Sequence, residues 1–290
     1  MFAIDAQDPT KLTLVGQAAA IPGEFPVTVA ASTKHKLACV GTTGAKAGIS
    51  CAPFSREGLG AMDNLRPFAL GQTTPPVGPT NTVSQVFFSD DQSTLFSTVK
   101  GDPPKNNTGF LAAFTVQASA RGGPAALSQQ GTTSSPAGTA VLFGSSTIPG
   151  SSDLLVTDAS FGAAVLGVDG KGKGVVKAKG VIGGQKATCW AAISPATNTA
   201  FVTDVATNRL VEMSLADASI KGLIDLSANG DPGLIDLRAA GNFVYALSPG
   251  NGTTQAAVTV VDALSKKQVQ HFQLQELGVG KNAQGLALLE

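Results

Sequence analysis

The sequence predicts an all-β fold of the β-propeller class, seven-bladed in its complete form. Two observations carry this. A unit of roughly 45–55 residues recurs about five times along the chain, a period that belongs to propeller blades of four strands each. In 290 residues, 43% of them hydrophobic, 34 glycines and 16 prolines are spread throughout, as many short strands joined by turns require.

The clearest copy runs Ala191-Ala192-Ile193-Ser194-Pro195-Ala196-Thr197-Asn198-Thr199-Ala200-Phe201-Val202-Thr203-Asp204. Val205-Ala206-Thr207-Asn208 and then Arg209-Leu210-Val211-Glu212-Met213-Ser214-Leu215 follow it. This is an apolar strand, a small-residue turn, a second strand ending in Thr-Asp, a polar loop and a third strand. Residues 86–99 and 236–247 repeat its first half.

The whole chain, 1–290, reads as one propeller domain. Residues 1–22 supply two outer strands, 2–5 and 12–16, of an incomplete blade, and Met1-Phe2-Ala3-Ile4-Asp5 has no charged leader. A complete blade at 23–71 places strands at 27–31, 36–40, 49–54 and 67–70. The next, 83–130, has strands at 83–89, 94–100, 109–116 and 126–130. Blade 140–181 has 140–144, 153–158, 163–169 and 175–181. Blade 188–226 has 188–193, 199–204, 210–215 and 220–226. Blade 234–274 has 234–238, 242–247, 256–262 and 268–274, and 284–290 adds a lone inner strand over 284–289. These strands do not close a ring, and open sheet edges invite aggregation. The expectation is that the N-terminal one and a half blades, some five strands, are missing from this chain and complete the ring. The alternative is that the two ends combine into a three-stranded sixth blade.

Several stretches resemble the fungal secreted 3-carboxymuconate cyclase-like proteins, which are related in fold to the lactonase-type seven-bladed β-propellers. They are Asp5-Ala6-Gln7-Asp8-Pro9-Thr10-Lys11-Leu12-Thr13-Leu14-Val15-Gly16, Gly23-Glu24-Phe25-Pro26, Gln72-Thr73-Thr74-Pro75-Pro76-Val77-Gly78-Pro79-Thr80-Asn81-Thr82-Val83-Ser84-Gln85-Val86 and Cys189-Trp190-Ala191-Ala192-Ile193-Ser194-Pro195. The resemblance runs along essentially the whole chain. It implies sequence before residue 1 that supplies the rest of two blades, a removed signal peptide, secretion and glycosylation. Enzymatic members of the family close a cis,cis-muconate to a lactone with His, Arg and Glu side chains. No catalytic residue of theirs matches a position here, and fold membership alone does not confer activity. His35 lies in a turn and His271 in an outer strand, both away from a central mouth.

Composition narrows the partners. Twenty Lys+Arg balance 20 Asp+Glu, with one Trp, one Tyr and no basic run, so nothing marks a nucleic-acid surface. No apolar stretch approaches the roughly 18–20 residues of a membrane span. No cofactor motif is present. The glycine-rich 167–174 leads into a strand rather than a helix and reads as an outer turn, not a phosphate loop.

Cys39 ends a second strand and Cys51 lies in the third, so antiparallel pairing brings them within disulfide range. The alternative is two buried thiols. Cys189 either pairs with an absent N-terminal segment or is a core thiol, and the spacing of the three fits no zinc pattern. Sequons at Asn106-Asn107-Thr108 and Asn251-Gly252-Thr253 fall in loops between second and third strands, marking Asn106 and Asn251 as glycosylation candidates.

Those loops share one end of a propeller with the connections between blades. Lys46, Lys105, Lys186, Arg209 and Lys281, with Asn81, Asn107 and Asn208, lie there. Converging cations suit a small di- or tricarboxylate, and Arg209 is the best single candidate because its planar fork fits a carboxylate. The bland reading is that solvated loops carry some lysine anyway. Asp90, Asp91, Asp158 and Asp204 end strands or occupy turns, where side-chain hydrogen bonding to nearby backbone accounts for them, and Asp153 reads the same way. Trp190, Phe87, Phe88, Phe96 and Phe201 follow strand alternation and read as packing between blades. Two functions remain: a secreted binding, cell-surface or antigenic propeller with a small carboxylate or surface partner, or a cofactor-free cycloisomerase or lactonase acting on a muconate-type carboxylate.

Overall fold

The computed structural model describes residues 1–118 and 123–289. A short N-terminal hairpin pairs β1 (Phe2–Ile4) with β2 (Leu12–Leu14). Next, β3 (Pro26–Ser32), β4 (Leu37–Thr42), β5 (Gly48–Ser55), β6 (Gly58–Leu59) and β7 (Arg66–Pro67) form one antiparallel sheet. β8 (Val83–Phe88), β9 (Thr94–Val99), β10 (Phe110–Gln117), β11 (Ala126–Leu127) and β12 (Thr132–Ser134) form the second. Three four-stranded meanders follow. They are β13 (Leu142–Thr147) to β16 (Gly174–Val181), with β14 at Leu154–Asp158 and β15 at Gly162–Val168; β17 (Thr188–Ser194) to β20 (Ile220–Asp225), with β18 at Thr199–Asp204 and β19 at Arg209–Met213; and β21 (Asp236–Ala240) to β24 (Lys267–Gln273), with β22 at Phe243–Ser248 and β23 at Ala257–Asp262. Repeated up-and-down sheets of this kind are propeller blades.

Two compact units contain these sheets. One comprises Met1–Gly101, Leu111–Ser134 and Lys171–Lys173; the other comprises Asp102–Phe110, Ser135–Gly170 and Gly174–Glu290. In the first, β3 packs beside β8; in the second, β17 lies between β13 and β21. First strands are therefore the elements that meet from blade to blade.

The packing in the second unit explains why its strands are apolar on both faces. Along β18, Ala200 and Val202 join Leu155, Ala163 and Val165 in one core, while Phe201 joins Leu237, Val244 and Val261 in another. Strand alternation sends neighbouring residues into opposite interblade layers. The expected packing role of Phe201 is met there, and Phe87 and Phe96 stack within the second blade, centroids 5.5 Å apart. Small residues bring first strands close. A Cβ on Gly144 would lie 2.6 Å from the Cys189 carbonyl oxygen and 2.7 Å from Trp190 Cα. Replacing Gly144 with any larger residue pushes β13 off β17.

Register shifts recur at equivalent places. The first-to-second strand pairing slips between Pro26 and Thr28, Val83 and Gln85, Leu142 and Ser145, and Thr188 and Ala191. Such bulges bend and twist a strand locally. β21 against β22 has none.

Three sequence expectations change. The fourth strand at 67–70 is instead two pieces, β6 and β7, paired to opposite ends of β5. Residues between them leave the ladder because the Asp63 carboxylate accepts the Cys51 N–H at 2.7 Å. The strand at 126–130 likewise becomes β11 and β12 on β10, separated where Ser128 Oγ accepts the Thr115 N–H. Residues 284–289 form no strand; Leu286 N–H donates to Asp236 Oδ2 instead, and no neighbouring ladder takes up the segment's backbone groups. Glu290, the last residue of the expected closing segment 284–290, lies outside the described residues.

Candidate functional site

The Thr-Asp pair that ends β14 and β18 sets the geometry of the loop end of these blades. Asp158 Oδ2 accepts the Ala140 N–H at 2.7 Å, and its Oδ1 accepts Val141 N–H and Ser160 N–H at 3.1 and 2.9 Å. Asp204 does the same one blade later. Its carboxylate takes Lys186 N–H at 2.8 Å, Ala187 N–H at 3.3 Å and Ala206 N–H at 3.1 Å. Each aspartate thus holds the incoming connection from the previous blade and its own outgoing loop. The threonine before it faces the neighbouring first strand: Thr157 Oγ1 donates to the Cys189 carbonyl at 2.6 Å, and Thr203 Oγ1 accepts the Trp190 N–H at 2.9 Å. Both aspartates are almost fully buried. The expected backbone-capping role of Asp158 and Asp204 is what the hydrogen bonds show. Asp91 caps a turn through Ser89 and Ser93, whose hydrogen bonds hold its carboxyl down at about 2. Asp153 differs, pairing with Lys177 at 2.8 Å.

The cations expected at this end are largely engaged. Lys46 pairs with Glu24 at 3.3 Å, and Thr74 and then Lys46 hold the Glu24 carboxyl below its ordinary value. Lys105 pairs with Asp102 at 2.9 Å. Arg209 Nη2 donates to the Gly183 carbonyl at 2.9 Å, which ties the loop after β18 to the connection that carries Lys186. The Lys186 side chain is exposed, as is Lys281. Asn208 is buried and donates through Nδ2 to Leu226 O at 2.8 Å and Asn229 Oδ1 at 2.7 Å. Asn81 adopts a left-handed backbone (φ 55°) and donates to Leu70 O. Two polar atoms here stay buried with no hydrogen-bond partner, Asn208 Oδ1 and Arg209 Nε.

Cys39 and Cys51 are directly opposed on β4 and β5 and form a disulfide. Cys189 is buried, takes no part in the disulfide, and donates its Sγ–H to Ile235 O. Asn106 is exposed in a left-handed conformation after the 3-10 turn Pro103–Lys105. Asn251 is exposed, and its Oδ1 accepts from Thr253 N–H and Oγ1–H at 2.9 and 2.6 Å. Among the described residues no cluster of His, Cys, Asp or Glu is arranged for a metal. No helix among them is long and apolar enough to cross a membrane.

Sequence reasoning missed an open cavity of about 550 Å³ at the opposite ends of the first unit's strands. The turn between β3 and β4 contributes Lys34, His35 and Lys36; β5 contributes Pro53 and Phe54; Pro124 stands before β11. The signal was present in the run Lys34-His35-Lys36, three basic side chains in one tight turn. The other histidine, His271 on β24, sets Nε2 3.1 Å from Asp231 Oδ2.

No protein-family model matches the chain, and no curated protein matches it. Solved structures do. A chain in the crystal structure of a nidogen/laminin complex aligns over 95% of this chain and 89% of its own length, with a TM-score of 0.56 and 12% identity. A chain of Kuenenia stuttgartiensis hydrazine synthase aligns over 65% of this chain at TM-score 0.50 and 19% identity, and this chain spans about half of that one, 48%. At such identities the likeness concerns the fold alone. Together with the repeated four-stranded sheets, it shows that the chain has a β-propeller fold.

Proposed function

We propose that this protein is a secreted binding propeller, cyclase-like in sequence, that recognises a surface partner and has no strong catalysis. The observation that carries this reading is how the polar side chains at the loop end are used. Asp158 and Asp204 are saturated by backbone N–H groups, Lys46 and Lys105 are ion-paired, His271 is engaged by Asp231, and His35 lies at the opposite strand ends. An acid–base pair needs a carboxyl or imidazole free to move a proton. The disulfide supports an oxidising compartment. The exposed sequons at Asn106 and Asn251 support passage through a glycosylating pathway. The likeness to a chain solved in a protein–protein complex supports a protein partner.

A second reading, cofactor-free cyclisation or hydrolysis of a muconate-type carboxylate, draws on one observation. Arg209 keeps a buried Nε without a partner, beside the exposed Lys186 connection. Incubation with a cis,cis-muconate and with a muconolactone, followed by ultraviolet absorbance, separates the two. No turnover by the intact protein is expected. Turnover that disappears in Arg209→Ala would establish the catalytic reading instead.

A further inference from the structure

The cavity beside the β3–β4 turn carries charge of one sign. Lys34 and Lys36 are exposed on its rim, and neither has a carboxylate ion-pair partner among the described residues. Lys34 Nζ donates to the Asp91 main-chain carbonyl at 2.8 Å, so it leans on an acceptor while keeping its net charge. Among the described residues no Asp or Glu lines the space, although the Asp91 carboxylate attracts Lys34 from outside it. His35 forms part of the wall, and its Nε2 is shut from solvent without a hydrogen-bond partner. An unpaired buried imidazole nitrogen is costly to the protein alone, and turning the ring toward the cavity relieves it only when a polar group is there to receive it. Pro53, Phe54 and Pro124 supply an apolar part of the lining, with Phe54 beside Lys36 through its N–H to the Lys36 carbonyl at 2.9 Å. The volume falls within the roughly 300–1,000 Å³ of small-molecule sites.

We propose that this cavity is a binding site for a small aromatic anion, a single carboxylate or sulfonate on a flat apolar body. The flat body lies against Phe54 and the two prolines, where it is removed from water. The anionic group faces Lys36 and Lys34 and accepts charge-assisted hydrogen bonds from them, with the His35 ring turned to contribute a third. Lys36 stands in a left-handed backbone (φ 51°), which directs it from the turn. The site is separate from the loop-end residues of the proposed function, and neither proposal depends on the other.

Titration of the intact protein with 2-naphthoate tests this, with 2-naphthalenemethanol as the neutral isostere. Saturable binding of one naphthoate is expected, with the alcohol weaker by about tenfold or more, as the loss of charge-assisted hydrogen bonds implies. The double variant Lys34→Gln/Lys36→Asn is expected to weaken naphthoate about tenfold and leave the alcohol unchanged. Asn is chosen because it tolerates the left-handed backbone at 36, and an unchanged melting temperature establishes that the variant is folded. In proton NMR, naphthoate is expected to shift the His35 ring signals and not those of His271. Equal binding of anion and alcohol, unchanged affinity in the folded double variant, no saturation, or movement of His271 in place of His35 would each overturn the proposal.

Discussion

Arg66 and Asp63 form a two-pronged ion pair inside the first unit, with Arg66 Nη1 3.0 Å from Oδ1 and Nη2 2.8 Å from Oδ2. The guanidinium is closed to solvent and spends its remaining donors on main-chain carbonyls: Nε to Ser128 at 2.7 Å, Nη2 to Leu127 at 2.6 Å and Nη1 to Asn64 at 3.3 Å. It therefore bolts the split outer strand of one blade to the outer strand of the next. A buried charge is tolerable only when it is matched in this way.

Removing one member of the pair leaves the other charge or several carbonyls without partners. Arg66→Ala is expected to lower unfolding free energy by about 3–5 kcal/mol. Arg66→Lys recovers little of this, since an ammonium cannot reproduce the planar fork. Urea denaturation of the three proteins measures it, and a loss below about 1 kcal/mol for Arg66→Ala would refute the account.

The disulfide closes a loop with a sequence separation of 12 residues. In the chain-entropy model such a loop contributes about 2–3 kcal/mol. The Cys39→Ala/Cys51→Ala variant is expected to unfold at lower urea by that amount, and a reducing agent is expected to shift the parent protein and not the variant. An equal shift in both would assign the effect to something other than this bridge.

Asp204→Ala strips the partners from the Lys186, Ala187 and Ala206 amides together. The expected cost is about 1–3 kcal/mol, the penalty for buried donors left unsatisfied. Asp225→Ala, at a solvent-exposed turn where the carboxylate accepts the Ser227 N–H, is expected to change stability by less than about 0.5 kcal/mol. Thermal melts of the two variants side by side give the comparison. Equal losses would mean that Asp204 acts as an ordinary surface turn residue.

Two aspartates should titrate with opposite effects on stability. Burial pushes the Asp236 carboxyl above its ordinary value, against the pull of Arg238 and the Leu286 and Leu237 amides. Its contribution is complete below the unfolded value of 3.8 and is lost as pH rises through the folded value. Hydrogen bonds from Ser89 and Ser93 lower Asp91 to about 2, so its contribution is present above 3.8 and disappears as pH falls toward 2. Urea midpoints across this range should show Asp236→Asn gaining on the parent protein as pH rises from about 4, and Asp91→Asn converging with it as pH falls. The same sign for both variants would contradict these environments.

The sequons make a chemical prediction. Secretory expression in a eukaryotic host is expected to yield glycan at Asn251, removed by Asn251→Gln and visible as a loss of mass. Its exposed loop holds the side chain through Oδ1 and leaves Nδ2 directed away from those bonds. Unmodified Asn251 in such a preparation would refute it.

The repeat itself was legible in the chain. Strands are local, and the alternation of Thr199–Asp204 or the run of Leu154–Asp158 announces a buried strand without knowledge of its neighbours. The Cys39–Cys51 pairing was equally legible, because a short loop between antiparallel strands fixes the register that opposes the two. Part of the capping role of Asp158 and Asp204 was legible too, since the amides of Ser160 and Ala206 follow two residues on, whereas the bonds from Ala140 and Lys186 reach back across a whole strand pair.

What the sequence alone determined, then, was the blade-like repeat, its apolar layers and the covalent bridge, all of which follow from interactions between residues close along the chain. Tertiary structure alone decided the rest. Arg66 is held by the main-chain carbonyls of Ser128 and Leu127, some sixty residues away, which nothing near it in the chain foretells. Lys46 read as an available ligand until Glu24 paired with it, and Lys34 to Lys36 acquired a cavity only when Phe54 and Pro124 were gathered beside them. The reason is physical. Backbone pairing depends on spacing the chain carries within itself, whereas a charge is engaged or free according to which distant groups folding brings within about 3–4 Å.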